Sequence, residues 1–314
     1  MIPDDSLGTN PKSSLMSTAL NFFLATRPAF LTITLMGCFI GITFPSSTKG
    51  SLAINLLAVV LAISVHAAAN LINDFYDHLN GSDLNNHNRI SPFTGGSRFI
   101  QNQLLKPAQI YQLGVALFIL SAAIGFYICL KTSWLLVPLG IIGIVIAWAY
   151  SAPPLQLMSK GILGEISIAL AWSLVVIGFA SMQTTNIAFQ AIPVGLAYGV
   201  MVSNILLVNQ IPDIKADRLA KKLTLATQTS SQALSAWYIA GIISAYGLQM
   251  IGIYYFDTPR ETLLSVLPLP AFLYCTKVIA EVKNDKKQIK QLIMLNLGSA
   301  HLYSILLVVG LLLN

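Results

Sequence analysis

Charge is what this chain has least of. Asp, Glu, Lys and Arg together make up 10% of its 314 residues, against roughly 25% in an ordinary soluble domain, which excludes a water-soluble globular enzyme. Acidic residues are scarcest, 12 against 18 Lys and Arg. Cysteine is also rare. Cys38, Cys129 and Cys275 fall inside apolar runs with no Cys-x-x-Cys spacing, so neither a disulfide framework nor a thiolate metal site is expected. The first 25 residues carry Asp4 and Asp5 and have no basic segment ahead of an apolar core. They read as a polar cytosolic lead-in and not as a cleaved signal.

Apolar length is what the chain has in excess: 55% of its residues are hydrophobic and the mean hydropathy is +0.71. Runs of membrane-spanning length, roughly 17 to 25 residues, are read at 28–44, 51–72, 107–130, 133–149, 162–182, 187–209, 232–256, 261–280 and 291–313. The expectation is an all-α integral membrane protein, one domain over 1–314, with nine transmembrane helices around a central cavity. Lys12, Arg27, Arg89, Arg98, Lys106, Lys160, Lys215, Arg218, Lys221, Lys222, Lys277, Lys283, Lys286, Lys287 and Lys290 fall on the side of the N-terminus; Lys49, Lys131 and Arg260 fall on the other. A split of 15 to 3 places the N-terminus in the cytoplasm. The net charge of +6 therefore records the positive-inside bias and attraction to anionic lipid, and no nucleic-acid partner is expected.

Against this background two acidic segments stand out, Asn70-Leu-Ile-Asn73-Asp74-Phe-Tyr-Asp77 and Asn209-Gln-Ile-Pro-Asp213-Ile-Lys-Ala-Asp217, each directly after a long apolar run. On helices Asp74 and Asp77 are i,i+3 neighbours and Asp213 and Asp217 i,i+4 neighbours, so each pair projects to one side and repels. Ionisable groups at membrane depth are costly and as a rule functional. A cation between the clusters resolves the repulsion, and Mg²⁺ carrying a diphosphate suits carboxylate and phosphate oxygens. Asn70, Asn73 and Asn209 stand one turn before Asp74, Asp77 and Asp213, where an amide oxygen supplies a neutral ligand or a helix-packing contact.

Both clusters open onto the longest polar connections, 73–106 and 210–231. The first carries Gly81, Pro92, Gly95 and Gly96 among several asparagines; the two together are expected to form a cytoplasmic cap that orders over substrate. Asp83 adds a fifth acid. Arg98, Lys160 and Lys215 are candidate diphosphate contacts. Tyr150 and Ser151 end the fourth run on the same face, where an aromatic ring can flank a carbocation. Glu165 reads as a headgroup-exposed partner of a helix N-terminus, or else as a group orienting an acceptor. His66 and His301, within apolar runs, read as packed histidines, and Arg27-Pro28 as a helix start, with a phosphate contact as its secondary reading.

Taken together, Asn73-Asp74-Phe-Tyr-Asp77, Gly95-Gly96-Ser97-Arg98, Tyr150-Ser151-Ala-Pro153-Pro154 and Asn209-Gln-Ile-Pro-Asp213-Ile-Lys-Ala-Asp217 resemble the UbiA superfamily of intramembrane prenyltransferases. The Gly81-Ser-Asp83 ending and the Gly-Gly-Ser-Arg stretch look most like its 1,4-dihydroxy-2-naphthoate prenyltransferase branch. The resemblance covers nearly the whole chain. It implies transfer of a polyprenyl group from its diphosphate to an aromatic quinone precursor, with Mg²⁺ held by Asp74, Asp77, Asp213 and Asp217 and assisted by Asn73. The substrate contacts it implies are Asn70, Asn73, Asp83, Arg98, Tyr150, Ser151, Lys160, Asn209 and Lys215.

This chain departs from the common family pattern at Gly81, where a third aspartate is usual, and at Lys221-Lys222-Leu-Thr224, where Gly-Lys-x-Thr is usual. Dihydroxynaphthoate is the leading acceptor, with 4-hydroxybenzoate or another phenol as the alternative. The partners are then polyprenyl diphosphate, the aromatic acceptor and membrane lipid, and the location a bacterial plasma membrane. The reading from another class is a transporter for a divalent cation or phosphorylated metabolite, which would place polar groups near the bilayer midplane and not at one rim.

Overall fold

A computed structural model describes residues 11–44, 50–184, 186–282 and 285–313, with side chains from residue 17 on. Asp4, Asp5, Lys49, Lys283 and the side chain of Lys12 lie outside the described residues. The helices are α1 (Pro11–Ala25), α2 (Pro28–Thr43), α3 (Leu52–Leu79), α4 (Pro107–Lys131), α5 (Val137–Ala149), α6 (Leu163–Thr184), α7 (Ile192–Asn209), α8 (Ile214–Leu219), α9 (Leu225–Gln228), α10 (Ser231–Tyr255), α11 (Leu269–Ala280) and α12 (Lys286–Leu312). One departure from an all-helical chain is a parallel pair of two-residue strands, β1 (Lys160–Gly161) and β2 (Leu223–Thr224), which ties the turn before α6 to the segment after α8.

Local chemistry explains many of the boundaries. Proline opens α2 and α4 and lies in the first turn of α5, α7 and α11, where its missing N–H costs nothing. Ser230 and Asp285 cap α10 and α12 by accepting backbone N–H groups. Among the described residues seven helices are long and apolar enough to cross a membrane, eight if the bent pair α1 and α2 counts as one span. The run at 133–149 becomes the shorter helix Trp134–Ala149, so length alone does not bring the count to nine. Within the polar lead-in, residues 11–25 form α1, which turns 55° into α2 at Arg27, whose backbone is left-handed.

Helix α7 is the axis of the main core, where Tyr198 and Met201 are almost fully buried. Polar braces hold its neighbours: Asn204 Nδ2 donates to Tyr238 O on α10 at 3.0 Å, the Tyr238 hydroxyl to Asn296 Oδ1 on α12 at 2.7 Å, and Asn296 Nδ2 back to Asn204 O at 3.3 Å. Such closed loops leave no buried polar atom of the set unpaired, which a low-dielectric interior requires. On the opposite side of α7 the packing opens. A cavity of about 610 Å³ runs between α2, α3, α4, α5, α6 and α7, with both acidic segments at one end.

Candidate active site

The rim of the cavity is built by α3 and the two long connections. Because α3 continues to Leu79, beyond the apolar run, His66, Asn70, Asn73, Asp74 and Asp77 all fall along it. Asp213 caps the short α8 and Asp217 lies within it. All four aspartates lie at this end, and Asp74, Asp77 and Asp217 are each less than one-tenth exposed.

What joins the two halves is a lysine. Lys222 Nζ lies 3.0 and 3.2 Å from the two oxygens of Asp77 and 3.3 Å from Asp217 Oδ1. Burial alone would lower its pKa, but Asp77 and Asp217 outweigh that and hold the ammonium above its ordinary value. Arg27 plays the same part for Asp74, with which it forms an ion pair, and its Nη2 also donates to Asn73 Oδ1 at 3.3 Å.

The connections close over these ions. Ser82 Oγ donates to Asp217 Oδ1 at 2.9 Å, and Asn86 Nδ2 to Asp213 Oδ1 at 2.6 Å. Gly95 and Gly96 have φ of 71°, a region open to glycine without strain, and a Cβ on Gly96 would collide with the Asp83 carboxylate. That close approach lets the next residue, Ser97, donate its backbone N–H to Asp74 Oδ2 at 3.1 Å.

Asp83 is buried here. Desolvation first, then repulsion from Asp77 and Asp74, pushes its carboxyl up to about 8. Burial also raises Asp213, to about 6, against the lowering effect of its Asn86 hydrogen bond, and raises Asp217.

The remaining expected residues divide. Asn70, Asn73, Tyr150 and Asn209 line the cavity. Asn70 also braces α2 by donating to Thr26 O at 2.9 Å, and Asn73 Nδ2 donates to Asp77 Oδ2 at 3.1 Å and Ser151 Oγ at 3.3 Å. Arg98 is half-buried and donates to Asp83 O, so it holds the connection's backbone. Lys160 and Lys215 are exposed and off the cavity wall: strand pairing with Leu223 holds Lys160, and Lys215 lies on the outer face of α8.

Glu165, expected among headgroups, is buried, and its Oε1 accepts from Gln210 Nε2 at 2.8 Å. Gln210 Oε1 in turn accepts from Ala226 N at 3.1 Å, so a neutral amide satisfies one oxygen of the Glu165 carboxyl, while its Oε2 is buried with no hydrogen-bond partner. The sequence assigned no site role to Ser82 and Asn86, and it marked Lys222 as one of a basic segment, Arg27 as a helix start and Gln210 as part of a motif, not as the partners of Asp77, Asp74 and Glu165. Charge balance signals that a buried acidic pair needs a basic partner; it does not choose among Lys215, Arg218, Lys221 and Lys222.

Among the described residues no three Asp, Glu, His or Cys side chains converge as a ready-made metal cage; Asp77 and Asp217 are turned toward Lys222, Asp74 toward Arg27 and Asp213 toward Asn86. The donor set nevertheless fits a hard cation. Asp83 Oδ2, Asn86 Oδ1 and Asn209 Oδ1 are buried with no hydrogen-bond partner, and together with the carboxylates they are the oxygen ligands that Mg²⁺ prefers.

Residues 31–300 match the UbiA prenyltransferase family. The 1,4-dihydroxy-2-naphthoate octaprenyltransferase of Bacillus subtilis (strain 168) is 29% identical over 251 residues, 78% of either chain. The UbiA prenyltransferase domain-containing protein 1 of Dictyostelium discoideum is 27% identical over 288 residues, 86% of this chain and 81% of its own. Among solved structures, a UbiA homolog from Archaeoglobus fulgidus bound to GPP and Mg²⁺ superposes with a TM-score of 0.63 at 14% identity, covering 91% of this chain and 99% of that one.

Proposed function

This chain belongs to the UbiA prenyltransferase family and is a membrane-embedded transferase, and from that premise we propose that it moves a polyprenyl group from polyprenyl diphosphate to 1,4-dihydroxy-2-naphthoate. The observation that carries the reading is the meeting of two acidic segments, with the buried Lys222 and the partly buried Arg27, at one end of a largely apolar cavity. That is the form of a substrate with a highly charged head and a long apolar tail. The naphthoate acceptor rests on the Bacillus subtilis relative, and 4-hydroxybenzoate or another phenol is the alternative.

Asp74, Asp77, Asp213 and Asp217, with Asn73, would hold Mg²⁺, which supplies Lewis-acid neutralisation of the leaving diphosphate. Lys222 and Arg27 are placed to exchange their carboxylates for phosphate oxygens, as charge-assisted donors. Ser97 N–H and Asn86 fix the carboxylates, so little reorganisation is needed when charge develops. As the C–O bond of the allylic diphosphate breaks, its electron pair leaves with the diphosphate. The aromatic acceptor then supplies the pair for the new C–C bond, and the substituted ring carbon releases its proton, taken up by the departing diphosphate, as aromaticity returns. Tyr150 contributes an aromatic ring at the mouth of the cavity, a group that stabilises positive charge, and the apolar walls keep water from capturing the cation.

In this reading the connections 73–106 and 210–231 are the cytoplasmic cap. The N-terminus is cytoplasmic, the membrane is a bacterial plasma membrane, and the bent pair and Trp134–Ala149 complete nine spans. The test is an assay of the detergent-purified protein with Mg²⁺, a polyprenyl diphosphate and a panel of aromatic acceptors, read by mass spectrometry against an EDTA control. One prenylated product, lost with EDTA, is expected. Asp74→Ala and Asp213→Ala should each lower turnover at least a thousandfold while the protein remains folded in the membrane; retained turnover sinks the metal assignment.

A further inference from the structure

Below the charged rim the cavity wall is apolar apart from Ser121, Ser167 and one level at which three polar side chains meet. Thr34 on α2, His66 on α3 and Trp172 on α6 all line it. His66 precedes Asp74 by eight residues, about 12 Å along the helix, and Thr34 follows Arg27 by seven, about 10 Å, so the three lie at one depth. His66 Nδ1 and Thr34 Oγ1 are hydrogen-bonded at 2.7 Å, which leaves only Nε2 of the imidazole for a ligand. The Trp172 ring meets His66 edge to face, centroids 4.9 Å apart. Its Nε1 is buried with no hydrogen-bond partner, although a buried N–H without an acceptor costs on the order of 1–3 kcal/mol.

Nearby hydroxyls do not share this property. Ser121 and Ser167, also on the wall, donate to Leu117 O and Gly164 O of their own helices. A prenyl tail offers an indole N–H and an imidazole nitrogen nothing. The tail has a better route along α4 and α5, past Ile128, Leu136, Gly140 and Gly143.

We infer that His66 and Trp172 form the acceptor's oxygen-binding subsite, with Trp172 Nε1–H and His66 Nε2 gripping a ring oxygen at the end of the aromatic acceptor farthest from the diphosphate. This rests on the aromatic prenyl transfer proposed above. The reacting ring carbon must come within about 3–3.5 Å of the allylic carbon just below the carboxylates. The longer reach of a bicyclic acceptor bearing an oxygen substituent toward His66 favours it over a single ring, and His66 is a specificity residue whose backing by Thr34 sets its orientation.

The experiment compares wild type with Trp172→Phe, His66→Leu and His66→Gln in detergent. KM and kcat are measured separately for 1,4-dihydroxy-2-naphthoate and for the polyprenyl diphosphate, and thermal unfolding is followed in parallel. Trp172→Phe keeps an aromatic side chain, though a smaller one, and removes the N–H; it should raise KM for the acceptor about tenfold, the worth of one hydrogen bond, and leave KM for the diphosphate unchanged, while the parallel melts register the lost ring volume. His66→Leu should do the same, and His66→Gln, whose amide reaches the Nε2 position, should restore acceptor KM. Acceptor KM unchanged in both Trp172→Phe and His66→Leu, while wild type turns over, overturns the subsite alone, as does a rise confined to KM for the diphosphate. Wild type that prenylates no aromatic acceptor overturns the proposed reaction, and the subsite with it.

Discussion

At the scale of single residues, the site is a balance of buried charges. Asp83 shows how tense that balance is, because its carboxyl is raised to about 8 from an ordinary 3.8 by burial and by two neighbouring carboxylates. A raised carboxyl pKa means that the folded protein holds a proton that the unfolded chain gives up. The stability associated with protonated Asp83 is therefore complete below about 3.8 and is lost as pH rises through about 8. Without Mg²⁺, the unfolding temperature in detergent should fall between these limits, with Asp213 adding to the slope. Asp83→Asn should flatten the fall, and an unchanged slope in a pH series of thermal melts would show that Asp83 is not the group responsible. The acids themselves were legible in the chain, because a carboxylate at the end of an apolar run is rarely incidental. Lys222 was not, because several basic residues share its segment and only the fold buries one of them.

At the scale of elements, two kinds of contact bring the rim together. The first is helix on helix. Gly199 on α7 packs so closely on α6 that a Cβ there would overlap Ala169 O and Ser173 Oγ, and Gly41 on α2 meets Val176 and Phe179 in the same way. Small residues of this sort set helix spacing where lipid supplies no hydrophobic drive. Gly199→Val should destabilise the protein by about 3 kcal/mol or more, as overpacking of a tight contact does, seen as loss of folded protein on size-exclusion in detergent.

The second contact is loop on helix through Lys222. Lys222→Met leaves Asp77 and Asp217 buried without their cation, which costs about 3–5 kcal/mol. Because Mg²⁺ would replace the lost charge, its stabilising effect on the variant should exceed that on wild type. Equal thermal shifts on adding Mg²⁺ would argue against metal at these carboxylates. The helices themselves were readable from apolar length, proline and capping residues. Their limits were less so: α3 carries its helical hydrogen bonding past the apolar run to Leu79, and the fourth run shortens to Trp134–Ala149.

At the scale of the whole molecule, the cavity separates a charged end from an apolar interior, and the depth of that interior decides which chains fit. Gly140 and Gly143 face open space on its wall, with no atom within 4 Å of a Cβ placed on either. Gly143→Leu should therefore leave short prenyl diphosphates as substrates and reduce turnover of long ones at least tenfold, checked by competing chain lengths in one assay with mass-spectrometric readout. Equal use of all lengths would mean that the tail leaves the cavity before reaching α5.

The chain by itself determined its solvent, its helical class and the presence of two acidic segments at the ends of apolar runs. A scarcity of charge, long apolar runs and two acidic segments are local properties that do not need a partner to be recognised. Only the tertiary structure decided which groups neutralise those acids, that Glu165 is buried against Gln210, that Lys160 and Lys215 stand outside the cavity, and that Thr34, His66 and Trp172 share one depth. The physical reason is the same in each case. Burial and pairing depend on what another helix brings alongside, often more than a hundred residues away, and in a low-dielectric interior that neighbour settles whether a polar group is a brace, a counter-ion or an open binding position.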